Sequence, residues 1–264
     1  MDAAATTADS VMLRAMDNIT PIPIPGFSDP VSSISHLVGL SLFGLLGFVL
    51  LWRGRGSWVR ISWLMIFWLG TEFLLAMSMT YHLLEPGSFA REEVLRRLDH
   101  AAIFTLIAAT MTAAHGILFT GVMRWGFITL FWVIVATAVS LKTVFFHDIP
   151  EWLGLSLYLG FGWVGLISGI ALIRKYGFAF VAPVLWGGIA YSIGAIIEAL
   201  RWPVLVDNVL APHELFHLAV LAGLGWHWWF IWGIAKGPPP DEREQARKTA
   251  VLERIARDGP GGLW

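Results

Sequence analysis

Seven apolar runs, each about 20 residues long and so enough to cross a hydrocarbon core about 30 Å thick, dominate the chain. They cover residues 33–52, 59–83, 97–119, 125–142, 152–173, 179–200 and 212–235. In lipid a backbone must satisfy its own hydrogen bonds, so each run is expected to be a helix. The predicted fold is an all-α membrane protein, a seven-transmembrane helix bundle over residues 31–236, with an N-terminal leader at 1–30 and a charged tail at 237–264.

The separators support this count. Arg53-Gly54-Arg55-Gly56, Glu85-Pro86-Gly87, Arg124, His147-Asp148-Ile149-Pro150, Arg174-Lys175 and Arg201-Trp202-Pro203 fall between runs. Trp52, Trp58, Trp125, Trp152 and Trp202 mark run ends, where amphipathic rings prefer the interface. The leader has no basic start, apolar core and small-residue cleavage site in sequence, and Pro21, Pro23, Pro25 and Pro30 break its second half. After Gly237-Pro238-Pro239-Pro240, residues 241–257 read as a solvated tail, or alternatively as a short surface or interfacial helix, with Ala246, Val251, Leu252 and Ile255 interspersed among its charges.

Composition narrows the chemistry. A chain that is 56% hydrophobic with mean hydropathy +0.67 is too apolar for an ordinary soluble domain, and a net charge of −1 gives no reason to expect nucleic acid. Because the sequence has no cysteine, a metal must be held by His, Asp, Glu or water, which favours zinc or another divalent ion that takes imidazole.

His213 and His217 stand four apart at the head of the last run, one helical turn from each other on one face. His82 closes the second run and Asp99 lies in the first turn of the third. Counting crossings puts all four at one leaflet, with Ser78 a turn deeper than His82 and with His36 and Glu198 towards the same side. Three imidazoles around zinc leave a fourth position for water, whose pKa falls to about 7. His82, His213 and His217 are the candidate ligands; Asp99 is placed to hold that water and take its proton, and Ser78 to donate a hydrogen bond. This set describes metal-assisted hydrolysis of an amide or ester.

Other polar residues read more plainly. His115 and His227 are expected to be structural, Glu198 to pair with Arg201, and Glu72 to face the bundle interior. His36 is expected to pack or bond at a helix end, with support of the metal site as the alternative, and Glu214 to reach Arg201 or solvent.

Several motifs resemble those of the hemolysin III family, the bacterial branch of the progestin and adipoQ receptor group, in a wider superfamily with alkaline ceramidases. They are Ser32-x-x-Ser35-His36-x-x-Gly39, Ser78-x-x-Tyr81-His82, Arg97-Leu98-Asp99-His100-Ala101-Ala102-Ile103, and Arg201-Trp202-Pro203 followed by His213-Glu214-Leu215-Phe216-His217. Ser32 stands where Asn is usual, Asp29 where an acidic residue is expected, and Ala113 where Pro is frequent. The resemblance implies seven helices in a bacterial inner or plasma membrane. It also implies zinc on His82, His213 and His217, Asp99 and Ser78 around its water, and a cavity for a membrane lipid substrate or ligand. Relatives include lipid amidases and proteins linked to membrane-fluidity homeostasis.

Two functions follow: a zinc-dependent lipid amide or ester hydrolase, or a non-catalytic membrane sensor with structural zinc. A pore is poorly supported, because no run carries a continuous polar stripe. Six basic residues fall on the N-terminal side and twelve on the other, including the tail, which predicts a cytoplasmic C-terminus. The receptors that the chain resembles have the opposite orientation. No motif fixes an oligomeric state.

Overall fold

The structure, a computed structural model, describes residues 21–146, 148–240 and 242–258, so most of the predicted leader lies outside the described residues. Seven helical segments are long and apolar enough to span a membrane. They are α1 (Pro30–Arg53), α2 (Trp58–Leu83), α3 (Arg96–Leu118) with a π-helical turn at Ala90–Leu95 before it, α4 (Gly121–Val144), α5 (Glu151–Trp163) continued by α6 (Leu166–Tyr176), α7 (Phe178–Leu200) and α8 (Pro212–Ile234). All seven predicted runs are helices.

Local chemistry sets the ends. Asp29 caps α1, its carboxylate accepting from the Ser32 amide, with Pro30 in the first turn where a missing N–H costs nothing. Ser57 caps α2 through the Arg60 amide, following a turn in which Gly56 takes φ of 101°. Pro212 opens α8, and Glu214 folds back to accept from the Ala211 amide at 2.8 Å. Glu214 is therefore a buried helix cap, contrary to the expectation that it reaches Arg201 or solvent.

Two boundaries differ from the sequence reading. The third span begins at Ala90 rather than 97, because the π-helical turn runs straight into α3 and Arg97 pairs back to Glu93. The fifth span is broken at Val164-Gly165. There Gly165 faces the Met111 methyl of α3, and a Cβ would come within 2.4 Å of it.

α3 lies at the centre, packed on α2, α4, α5 and α8, while α8 also meets α1 and α7. Its buried face includes Ala102, Ala109 and Ala113, small residues that let neighbouring backbones close in; Gly70 of α2 faces Ala109 so tightly that a Cβ there would come within 2.6 Å of it. The outer surface is apolar, with Leu45 and Phe48 largely exposed, as lipid-facing positions should be. Hydroxyls of Thr71, Thr105, Thr110 and Thr112 bond back to carbonyls four residues earlier, so these four donors are satisfied within their own helices.

The tail is a helix, α9 (Glu242–Asp258), on which Val251, Leu252 and Ile255 are exposed. The region predicted to be a solvated tail is thus both helical and, at these positions, open to its surroundings.

Candidate metal centre

Pro212 and the Glu214 cap fix the start of α8, so that His213 and His217 leave its first two turns on one face. His82 is the penultimate residue of α2. The strap Pro21–Asp29, which precedes α1, is tied down around it. Asp29 donates its amide to the His82 carbonyl at 3.1 Å, Ser28 donates to the Leu83 carbonyl at 3.3 Å, and Ile22 donates to Asn208 at 2.9 Å.

The three imidazoles meet through their Nε2 atoms. His213 Nε2 lies 3.4 Å from His82 Nε2 and 3.2 Å from His217 Nε2, and one ring nitrogen from each residue falls within 4.8 Å of the others. Tetrahedral zinc with Zn–N bonds of about 2.05 Å separates its nitrogen ligands by about 3.3 Å. The spacing therefore fits one cation on three imidazoles.

The opposite ring nitrogens point outward to partners. His82 Nδ1 is 2.8 Å from Asp29 Oδ2, a short, bent contact. His213 Nδ1 is 3.3 Å from Glu198 Oε1, an oxygen that also meets Arg201 Nη1 at 3.2 Å. His217 Nδ1 is 3.1 Å from a ring nitrogen of His36, which is itself buried. A carboxylate at Nδ1 draws the ring proton to that side and leaves a lone pair on Nε2. Lone pairs converging at this distance repel unless a cation lies between them. This arrangement supports a metal site more strongly than the distances alone.

Asp29 illustrates the electrostatics. Burial by itself would raise its carboxyl, but the adjacent His82 ring, with the Ser32 amide, outweighs burial and holds it below the ordinary carboxylate range.

Asp99 and Ser78 line one cavity of about 1400 Å³ together with the three histidines. Ser78 is buried one turn from His82, and Asp99 is half-buried on α3. The structure thus brings all five predicted site residues to one chamber. The pairing of Glu198 with Arg201 is present, but Glu198 also orients His213, and His36 supports His217 rather than merely packing. His115 and His227 bond to the carbonyls of Met111 and Val184, as expected of structural histidines. Glu72 sits in the α1–α2 seam against Gly44, not on the cavity wall.

Comparison with known proteins identifies the family. The family profile described as Haemolysin-III related matches residues 27–228, which include every residue of this centre. The chain is 31% identical to Hemolysin-3 of Bacillus cereus over 50% of its own length and 57% of that protein's. It is 25% identical to the Hemolysin-3 homolog of Bacillus subtilis over 73% of its length and 87% of the relative's. It is also 28% identical to the ADIPOR-like receptor IZH2 of Saccharomyces cerevisiae, over 64% and 58%. The chain thus spans little more than half of the Bacillus cereus and yeast proteins.

Proposed function

The chain belongs to the haemolysin-III-related family of multi-pass integral membrane proteins, and on that premise we propose that it is a zinc-dependent hydrolase of a lipid amide or ester that enters from the bilayer. The observation that carries this reading is the convergence of three Nε2 atoms in a lipid-sized chamber, each ring backed by its own outer partner. Zinc bound there supplies a Lewis acid that brings water within reach of deprotonation near neutral pH.

The chain's own residues do the rest. Asp29, Glu198 and His36 hold the imidazoles in one tautomer, so that little reorganisation accompanies binding. Asp99 takes a proton from the attacking water and returns it to the departing nitrogen or oxygen, so water and acyl lipid yield a carboxylic acid and the free amine or alcohol. Ser78 donates to the substrate carbonyl oxygen, where negative charge develops.

A second reading has an observation in its favour. The histidines and their partners come from α1, α2, α7, α8 and the strap, so a bound ion would also staple that end of the bundle, as a non-catalytic sensor would need. Asp99→Asn separates the two readings. A hydrolase keeps its zinc and loses roughly a hundredfold or more in turnover of acyl-lipid amides, measured by product release alongside metal analysis. A stapled sensor keeps both its zinc and its effect on membrane lipid composition.

A further inference from the structure

The end of the bundle opposite the histidines carries a positive charge that no carboxylate balances among the described residues. Every acidic residue from Pro30 to Pro240 lies at the histidine end or, for Glu72, mid-span. The stretch from Pro30 to Thr71 holds three arginines and no acidic residue. Those arginines, Arg53, Arg55 and Arg60, surround the turn between α1 and α2, and Arg60 is about 33 Å along α2 from His82.

Helix ends account for part of this cluster. Arg53 donates Nε to the Trp232 carbonyl in the last turn of α8, and Arg60 donates Nε to the Gly54 carbonyl and Nη2 to the Arg55 carbonyl, each at 3.1 Å. These bonds satisfy carbonyls where α1 and α8 finish. They fix the guanidiniums without neutralising them. The side chain of Arg55 makes no hydrogen bond among the described residues; its guanidinium lies over the Trp52 ring, 3.8 Å from the centroid, as that of Arg53 lies over Trp232 at 4.4 Å. The end of α8 also closes on the turn, since a Cβ on Gly237 would come within 3.2 Å of Arg60 Nη1.

Trp52 and Trp58 are largely exposed, and such indoles sit at the boundary between hydrocarbon and water. Three guanidiniums held by backbone and indole around one turn repel one another, the more so where the dielectric falls below that of water. A partner that relieves the repulsion must be anionic, present paired oxygens to the Nη forks and reside at the depth of the indoles. A lipid phosphodiester meets all three conditions, and one whose head group brings no cation of its own meets them best.

We propose that Arg53, Arg55 and Arg60 form a binding site for the phosphodiester of an anionic phospholipid in the leaflet at this end. The site is separate from the histidine chamber and does not depend on what that chamber does.

The test counts bound lipid. Full-length protein is purified in neutral detergent, and native mass spectrometry gives the dissociation constant for the first bound molecule of palmitoyl-oleoyl phosphatidylglycerol or phosphatidylcholine. Wild type is expected to hold phosphatidylglycerol about tenfold more tightly or better. Arg55→Gln, which removes no hydrogen bond described within the protein, weakens phosphatidylglycerol about fivefold and leaves phosphatidylcholine little changed. Arg55→Lys retains part of the preference, because an ammonium keeps the charge and loses the planar fork. Arg174→Gln removes one charge at the same leaflet outside the cluster, and shifts the constant by no more than about twofold. Glycerol phosphate, which has the charge and no acyl chains, fails to displace phosphatidylglycerol even in large molar excess. Equal affinity of the wild type for the two lipids overturns the proposal. Equal losses in Arg55→Gln and Arg174→Gln do so too, since they reveal a diffuse surface charge, and displacement by glycerol phosphate replaces the lipid with a soluble phosphate ester. The histidines enter none of these readouts, so failure of the hydrolase reading leaves them standing.

Discussion

Each imidazole of the centre is held by a different kind of group: a strap carboxylate on His82, a helix-end carboxylate shared with Arg201 on His213, and another imidazole on His217. Replacing such an outer partner costs a metal site about ten- to a hundredfold in affinity. Asp29→Asn and Glu198→Gln are each expected to weaken zinc by that amount in a chelator competition, with the helical content unchanged. His36→Phe should do the same through His217. The gathering of the three candidate ligands was legible in the sequence because spacing and a count of crossings suffice for it. Their outer partners were only partly legible. Glu198 was placed on the correct side, but a neighbouring Arg201 three residues on offered a sufficient local explanation. Asp29 showed itself only as the acidic position of a family motif, since no periodicity reveals how a proline-rich strap folds back on His82.

Helix pairs hold the site through glycine contacts. Gly194 of α7 approaches Ala219 of α8 so closely that a Cβ would come within 2.6 Å of it, a turn or so from both Glu198 and His217. Gly194→Val is therefore expected to push α7 from α8, lowering stability by about 1–3 kcal/mol and reducing zinc content by drawing Glu198 off His213. Thermal unfolding and metal analysis of the same preparation check both effects. The spans themselves were readable to within a few residues, because hydropathy and charged separators act over whole helices. The break at Val164-Gly165 was not, since Gly160, Gly162 and Gly165 in an apolar run look the same whether the helix continues or shifts. At Gly165 the neighbour is Met111, from a helix distant in sequence.

Taken whole, the molecule is polar at one end of its interior and apolar on its flanks, and the charge count assigns that polar end to the outer face. The natural lack of cysteine makes the assignment directly measurable. In intact cells, a membrane-impermeant maleimide is expected to label Ser88→Cys, in the loop between the second and third spans, and to spare Thr249→Cys in α9 until the cells are opened. The reverse pattern would invert the orientation and agree with the receptors that the chain resembles. Orientation was the least legible property of the sequence, because without the tail the basic residues divide evenly at six to a side.

The strap from Pro21 to Asp29 has a practical consequence. Its amides hang on the His82 and Leu83 carbonyls and on Asn208, so any pull on the peptide ahead of Pro21 is transmitted within a few bonds to an imidazole. An affinity handle or fluorescent fusion spliced close to that point loosens the very grip that purification is meant to preserve, whereas one joined beyond α9 leaves it alone.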